Sequence, residues 1–162
     1  MRKIGSALLA GLFCVFLLGA ADTQQQIHFP LHGFSIDALE GPADTRGMLM
    51  SMSLPASDGF APNVNLISQN SPGTIDQYIE ISKQQVTQNG WTLIKANKVD
   101  DNTAVMEITG KVGDNSLHFY DKVSRKGDEV ILITATATEN QWTTNSAQLE
   151  ACVDSFQRDS DK

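Results

Sequence analysis

The alternation of apolar and polar positions along the chain predicts a series of β-strands, interrupted by one helix and closed by another. A period of two is typical of half-buried strands, whereas apolar positions three or four residues apart indicate a helix. Strands are predicted for residues 27–31, 34–37, 48–54, 63–69, 91–95, 103–110, 116–124 and 129–138. Strands clustered in this way, rather than alternating one by one with helices, favour an α+β fold.

The two predicted helices have recognisable boundaries. Thr74 and Gln77 have the spacing of a capping box, and Asn89-Gly90 is a typical stop, so the first helix is expected between them. The second is predicted over residues 141–157, with an apolar stripe formed by Trp142, Leu149, Val153 and Phe156. An antiparallel sheet flanked by helices would bury both apolar stripes, and we expect that architecture.

The N-terminus has the three parts of a secretion signal. Arg2 and Lys3 are basic, Ile4–Leu18 is apolar, and Gly19–Ala21 supplies small residues for cleavage. Residues 1–21 are therefore predicted to be a cleavable signal, which implies a periplasmic or secreted protein. Retention as a membrane anchor stays open, although the apolar run barely reaches the roughly 30 Å of a bilayer core. Lipidation of Cys14 is disfavoured because bulky residues precede it.

Charge and cysteine content narrow the class of protein. Removal of residues 1–21 would leave 10 basic and 19 acidic residues, a net charge of about −9. Such a chain is not expected to bind nucleic acid or anionic membrane surfaces. Cys152 would be the remaining cysteine, so no intrachain disulfide could form. We expect one monomeric domain over residues 33–158, an N-terminal extension or edge strand over 22–32 and a polar tail over 159–162.

Several short motifs occur in the order and spacing seen in one known family. They are Phe34-Ser35-Ile36, Phe60-Ala61-Pro62-Asn63, Val64-Asn65-Leu66, Pro72-Gly73-Thr74, Gly90-Trp91 and Asp154-Ser155-Phe156. Together they resemble the PsbP-like superfamily and its bacterial DcrB-type relatives, over residues 34–158. The resemblance implies an α/β/α sandwich, that is, an antiparallel sheet between helices.

The same resemblance implies a non-catalytic role. PsbP proteins of photosynthetic organisms are extrinsic subunits that help photosystem II retain its inorganic ions, and most bacterial relatives are exported proteins of unassigned role. Some cytosolic relatives are chaperones for secreted toxins, a role that an export signal argues against. The family offers no universal catalytic residue that could be carried over to this chain.

The loop between the strands 48–54 and 63–69 is the candidate binding surface. Asp58, Phe60, Asn63 and Asn65 are the residues we expect to contact a partner. Asn63 and Asn65 have a second interpretation, because side-chain amides often hold loops in place by bonding to nearby backbone groups.

Candidate catalytic and metal-binding residues are few. The sequence lacks a nucleophile elbow, a phosphate-binding loop and the paired histidines of a zincin. His28 and His32 would lie about 13 Å apart on an extended strand, too far for one metal ion unless the chain bends at Pro30. The run Asp100-Asp101-Asn102 is more typical of a turn than of a calcium site. The acids Asp37, Glu40 and Asp44 are more typical of a solvated surface than of a cation site. No metal or cofactor is predicted.

Three methionines alternate along one predicted strand. Met48, Met50 and Met52 would share one face, which could suggest binding of a soft metal such as Cu(I). Because no histidine or cysteine lies nearby in sequence, core packing is the expected role.

These observations favour an exported, non-catalytic module that binds a protein partner in the periplasm or cell envelope. It would contact the membrane only if the signal were retained. The alternatives are a hydrolytic or metal-dependent enzyme with a site assembled from distant residues, for instance His118 with nearby acids, and a small-ligand carrier. A deep pocket that contained His118 and two carboxylates would favour the enzyme.

Overall fold

The fold is described by a computed structural model that covers residues 26–29, 33–37 and 47–158. The predicted signal and the polar tail lie outside the described residues. So do His32, Glu40 and Asp44, and the side chains of His28 and Asp37.

The chain divides into two compact units, residues 1–43 and 44–162. In the first unit β1 (Gln26–Phe29) pairs antiparallel with β2 (Phe34–Asp37), and Phe29 lies opposite Phe34. Gly33 has a φ of 68° immediately before β2, a conformation that glycine adopts without strain. β2 has its predicted bounds, whereas β1 begins one residue before and ends two residues before the predicted strand 27–31.

The second unit contains an antiparallel six-stranded sheet and two helices. The strands are β3 (Gly47–Ser53), β4 (Asn63–Asn70), β5 (Thr92–Lys98), β6 (Thr103–Val112), β7 (Asn115–Lys126) and β8 (Glu129–Thr138). Their order across the sheet is β3-β4-β8-β7-β6-β5, so β3 and β5 are its edges. The three C-terminal strands are joined by tight turns in which Gly113 and Gly127 have φ near 60°.

Both helices begin at a complete capping box. Helix α1 (Ile75–Gln88) is capped by Thr74, whose hydroxyl accepts from the backbone of Gln77 while the Gln77 side chain accepts from the backbone of Thr74. Helix α2 (Glu139–Asp154) has the same arrangement between Thr138 and Gln141. It begins two residues earlier than predicted because Thr138 is the cap, and it ends before Phe156.

The two helices cover opposite faces of the sheet. Directly opposed residues of neighbouring strands share a face, so the pairing register assigns each side chain to one of two cores. One core lies against α1 and contains Ile75, Ile79, Val86, Ala104, Met106, Ile108, Val123 and Val130. The other lies against α2 and contains Val64, Val105, Tyr120, Ile131, Ile133, Ala135, Ala137, Trp142, Leu149 and Val153. The predicted α+β class, with helices flanking an antiparallel sheet, is confirmed.

The predicted methionine stripe on β3 is wrong. A bulge separates Met48 from Met50, so Met48 lies opposite Ile67 whereas Met50 lies opposite Leu66, on the other face. Met48, Met50 and Met52 are 65%, 45% and 42% exposed, so they are not core residues. Strict alternation cannot anticipate a bulge, and β3 is an edge strand with one neighbour in the sheet.

Two further features concern Cys152 and the hydropathy of the helices. Cys152 carries a free thiol, half-buried and packed against the α2 core. Within the described ranges, neither helix combines the length and hydropathy needed to span a membrane.

Candidate functional site

The loop between β3 and β4 contains a small hairpin of its own. Ser57 and Phe60 exchange two backbone hydrogen bonds of 3.0 Å, and the turn between them has a φ of 52° at Asp58 and 77° at Gly59. Two successive residues with positive φ are typical of a type I′ turn, for which Asp-Gly is a favoured pair. At the base of the loop the Leu54 amide donates to the Pro62 carbonyl at 2.7 Å. The loop is therefore held at its base and at its tip.

Gln141, in the first turn of α2, ties this loop to the sheet domain. Its Nε2 donates to the Ser57 carbonyl at 2.8 Å, to the Ser57 hydroxyl at 2.9 Å and to the Phe60 carbonyl at 3.0 Å. The Oε1 of the same side chain accepts from the backbone of Thr138 in the capping box. Gln141 is buried, so its hydrogen bonds are shielded from water.

The four predicted binding residues form two groups. Asp58 is exposed at the tip of the turn, and Phe60 is half-buried beside it. Asn63 Nδ2 donates to the Ala61 carbonyl at 2.9 Å, and Asn65 Nδ2 donates to Asn63 Oδ1 at 2.9 Å. The loop-holding interpretation of Asn63 is confirmed, and Asn65 supports it in turn. Sequence reasoning missed Gln141. Its capping-box spacing from Thr138 was a usable local signal for the start of α2, but its contact with Ser57, 84 residues away, gives no local signal.

His118 lies in a buried polar junction. Its Nε2 is 2.9 Å from Glu107 Oε1, its Nδ1 is 3.4 Å from Glu139 Oε2, and its ring stacks on Trp142 with centroids 4.1 Å apart. The structure thus brings two carboxylates to His118, as the enzyme alternative required. However, His118 is only 6% exposed, with both nitrogens beside carboxylates and one face covered by an aromatic ring. Such an arrangement ties β6, β7 and α2 together and leaves little room for a substrate.

The acidic turn after β5 has a structural role. Asp100 Oδ1 accepts from the Asn102 amide at 2.7 Å, as in an Asx turn, and Asp101 pairs with Lys98 at 3.0 Å. Among the residues described, no group of three or more histidine, cysteine, aspartate or glutamate side chains is arranged to hold a metal ion.

A cavity of about 310 Å³ lies on the α1 side of the sheet. It is bounded by α1, by β6, β7 and β8 and by the end of β4, and Asp121 of β7 lines it together with Tyr78 and Trp91. Trp91 packs directly over Gly110, where a Cβ atom would overlap the indole ring, and stacks on Phe119 at 5.1 Å. These contacts fix one wall of the cavity.

Asp121 is the buried acid of this cavity. Its Oδ1 accepts from the Thr134 hydroxyl at 2.6 Å, and burial raises the pKa of its carboxyl group to about 6. Tyr78 donates to Gln69 Oε1 at 3.1 Å, and burial together with the Asp121 charge raises the pKa of Tyr78 to about 12. Sequence reasoning missed Asp121, although an acid between Phe119 and Val123 on the inward face of a strand was a usable signal.

The fold is shared with proteins of known structure. The crystal structure of PA94, a protein of unknown function from Pseudomonas aeruginosa, matches with a TM-score of 0.65 and 13% identity, over 85% of this chain and 99% of that one. The solution structure of cyanobacterial PsbP (CyanoP) from Synechocystis matches with a TM-score of 0.46 and 16% identity, over 86% of this chain and 95% of that one. No protein-family model and no curated protein sequence matches the chain. At such identities the likeness to PA94 establishes a common fold, not a common activity.

Proposed function

We propose that this protein is an exported, non-catalytic PsbP-like protein of the DcrB type that binds a protein partner in the periplasm or cell envelope. The contact surface is the loop 54–63, with Asp58 at its tip. The observation that carries the proposal is the double fixation of this loop, by its own hairpin bonds and by Gln141.

Fixation matters because a binding loop that is ordered before contact loses less conformational entropy on binding. The Gln141 amide is buried beneath the loop, whereas Ser57, Asp58 and Gly59 are exposed above it. The turn therefore faces outward while Gln141 holds it from beneath.

Charge indicates the chemistry of the partner. The full chain has a net charge of −7, and the exposed Asp58 adds a carboxylate at the tip of the loop. A partner with a basic recess would gain from both the local contact and the long-range field.

The predicted export signal and the family resemblance support the proposal from the sequence. The signal-like segment 1–21 would direct the chain out of the cytoplasm, and the ordered motifs over residues 34–158 resemble PsbP and DcrB-type proteins. The alternative of an enzyme built around His118 gains less support, because that imidazole is enclosed by Trp142 and two carboxylates.

Chemical crosslinking in intact cells tests the proposal. We expect the unaltered protein to give one crosslinked species, which the double variant Asp58→Lys/Asn63→Ala loses. The matched control is Asp114→Lys, which makes the same charge change in the exposed turn between β6 and β7. If the double variant is captured as well as the control, the loop is not the contact surface.

A further inference from the structure

Helix α1 leaves part of its sheet face uncovered. Its backbone lies closest to β5 and β6. Val123 of β7 and Val130 of β8 are still buried in the α1 core, but Asp121 of β7, Leu132 of β8 and the end of β4 line a gap along the flank of the helix. The 310 Å³ cavity occupies this position. Its volume is at the lower end of the range of roughly 300–1,000 Å³ for small-molecule sites.

Within the described part of the chain, no basic side chain forms an ion pair with the buried acid of this cavity. Asp121 is 8% exposed and accepts a hydrogen bond from Thr134, but no basic group of the described residues contributes to the shift of its pKa. A buried carboxylate with a single neutral donor is poorly solvated. A ligand with a positive charge would supply what the fold does not.

The rest of the lining defines the ligand further. Tyr78 and Gln69 add oxygen atoms that can accept hydrogen bonds, while Trp91, Met106 and Leu132 add aromatic and apolar surface. Among the described lining residues none is basic, so an anion would meet only the Asp121 charge. The single carboxylate also falls short of the oxygen-rich shells that calcium and magnesium require.

We propose that the cavity between α1 and the sheet binds a small protonated primary amine with a short alkyl body. The ammonium group donates to Asp121 and to the Tyr78 and Gln69 oxygens. The alkyl body packs against Trp91. The face of this aromatic ring also attracts the positive charge of the ammonium group. This site is independent of the loop proposed to bind a protein partner, and either proposal could fail without the other.

Butylammonium chloride is the probe, with 1-butanol and sodium butyrate as neutral and anionic controls of similar shape. Each is titrated into the full chain while amide and indole resonances are followed by NMR. We expect butylammonium to shift the Trp91 indole signal along a saturable curve, with half-saturation in the millimolar range that suits so small a ligand. Neither control should saturate at the same concentrations.

Two variants locate the site. Asp121→Asn keeps the side-chain shape and removes the charge, and we expect it to weaken butylammonium binding about tenfold or more. Its control, Asp114→Asn, removes the same charge from an exposed turn and should leave the affinity unchanged. Ser82→Phe extends an aromatic ring from α1 into the cavity and should abolish binding while Asp121 remains.

Binding should also depend on pH. Tyr78 on α1 and Asp121 on β7 are the titratable groups among the described lining residues, and Tyr78 stays neutral below about pH 12. Protonation of Asp121 should therefore weaken binding of butylammonium as the pH falls below about 6. Equal binding of butylammonium and butanol, unchanged affinity in Asp121→Asn, or no saturable shift would each overturn the proposal.

Discussion

At the scale of single residues, Asp121 carries a buried carboxyl group. Its pKa is raised from 3.8 to about 6, chiefly by burial, so the folded protein holds this proton to a higher pH than the unfolded chain does. Ionisation of Asp121 therefore does not lower the free energy of unfolding below pH 3.8, where the group is protonated in both states. The reduction grows as the pH rises and is complete above about pH 6. Retention of a destabilising charge beside a cavity is typical of a functional position.

Asp121→Asn should stabilise the protein near neutral pH. A shift of about two pKa units corresponds to about 3 kcal/mol, which is the largest gain in free energy of unfolding we expect. Urea denaturation at about pH 7.5 and about pH 3.5 measures it, and the gain should disappear at the lower pH. Asp114→Asn is the control for a change of net charge. A variant no more stable than the unaltered protein at the higher pH would refute the electrostatic argument.

Gln141 is the second residue with a measurable energetic role. Gln141→Ala removes both a capping-box partner and the bonds to the Ser57–Phe60 turn, so we expect a loss of about 2–3 kcal/mol. Gln77→Ala is a matched control, because it breaks the capping box of α1 without releasing a loop, and should lose less than about 1 kcal/mol. Equal losses in the two variants would mean that the loop bonds contribute nothing.

Residue-level prediction from the sequence succeeded where the interaction is local. The loop-holding role of Asn63 follows from an amide two residues from its acceptor, Ala61. The junction of His118 with Glu107 and Glu139 depends on the register of β6 against β7 and on where α2 begins. No short stretch of sequence indicates such contacts between distant elements.

At the scale of elements, the edge strand β3 differs most from expectation. The other strands of the sheet domain and both helices occur where the apolar periodicity indicated, because turn residues mark most of their boundaries. Two bounds differ: β5 extends to Lys98, three residues beyond its predicted end, and α2 begins two residues early at its capping box. β5 also contains a bulge, between Leu93 and Lys95. In β3 the bulge after Met48 places Met50 and the residues that follow on the opposite face of the sheet from the one that strict alternation predicts. A bulge depends on how a strand pairs, so its own alternation pattern cannot reveal it.

The exposure of β3 predicts selective oxidation of its methionines. Met48, Met50 and Met52 are 42–65% exposed, whereas Met106 in the α1 core is 2% exposed. Under mild hydrogen peroxide treatment, the three β3 methionines should form sulfoxides well before Met106. Peptide mass spectrometry gives the order of oxidation, and equally rapid modification of Met106 would show that the α1 core is open to solvent.

At the scale of the whole molecule, the proposed export would change the net charge of the protein. Cleavage after Ala21 would remove two basic residues and leave about −9 on the exported chain. We expect the intact mass of the protein from the cell envelope to correspond to a chain that starts at Asp22. A mass that retains residues 1–21 would instead identify a membrane-anchored form.

At the same scale, we propose that the protein binds its partner through a preorganised loop. A photo-crosslinking amino acid at position 58 tests it directly when introduced, in living cells, into the unaltered, Gln141→Ala and Gln77→Ala backgrounds. We predict one crosslinked partner in the unaltered and Gln77→Ala backgrounds and a strongly reduced yield in Gln141→Ala, where the loop is released. Equal capture in all three backgrounds, or no capture at position 58, would contradict the account.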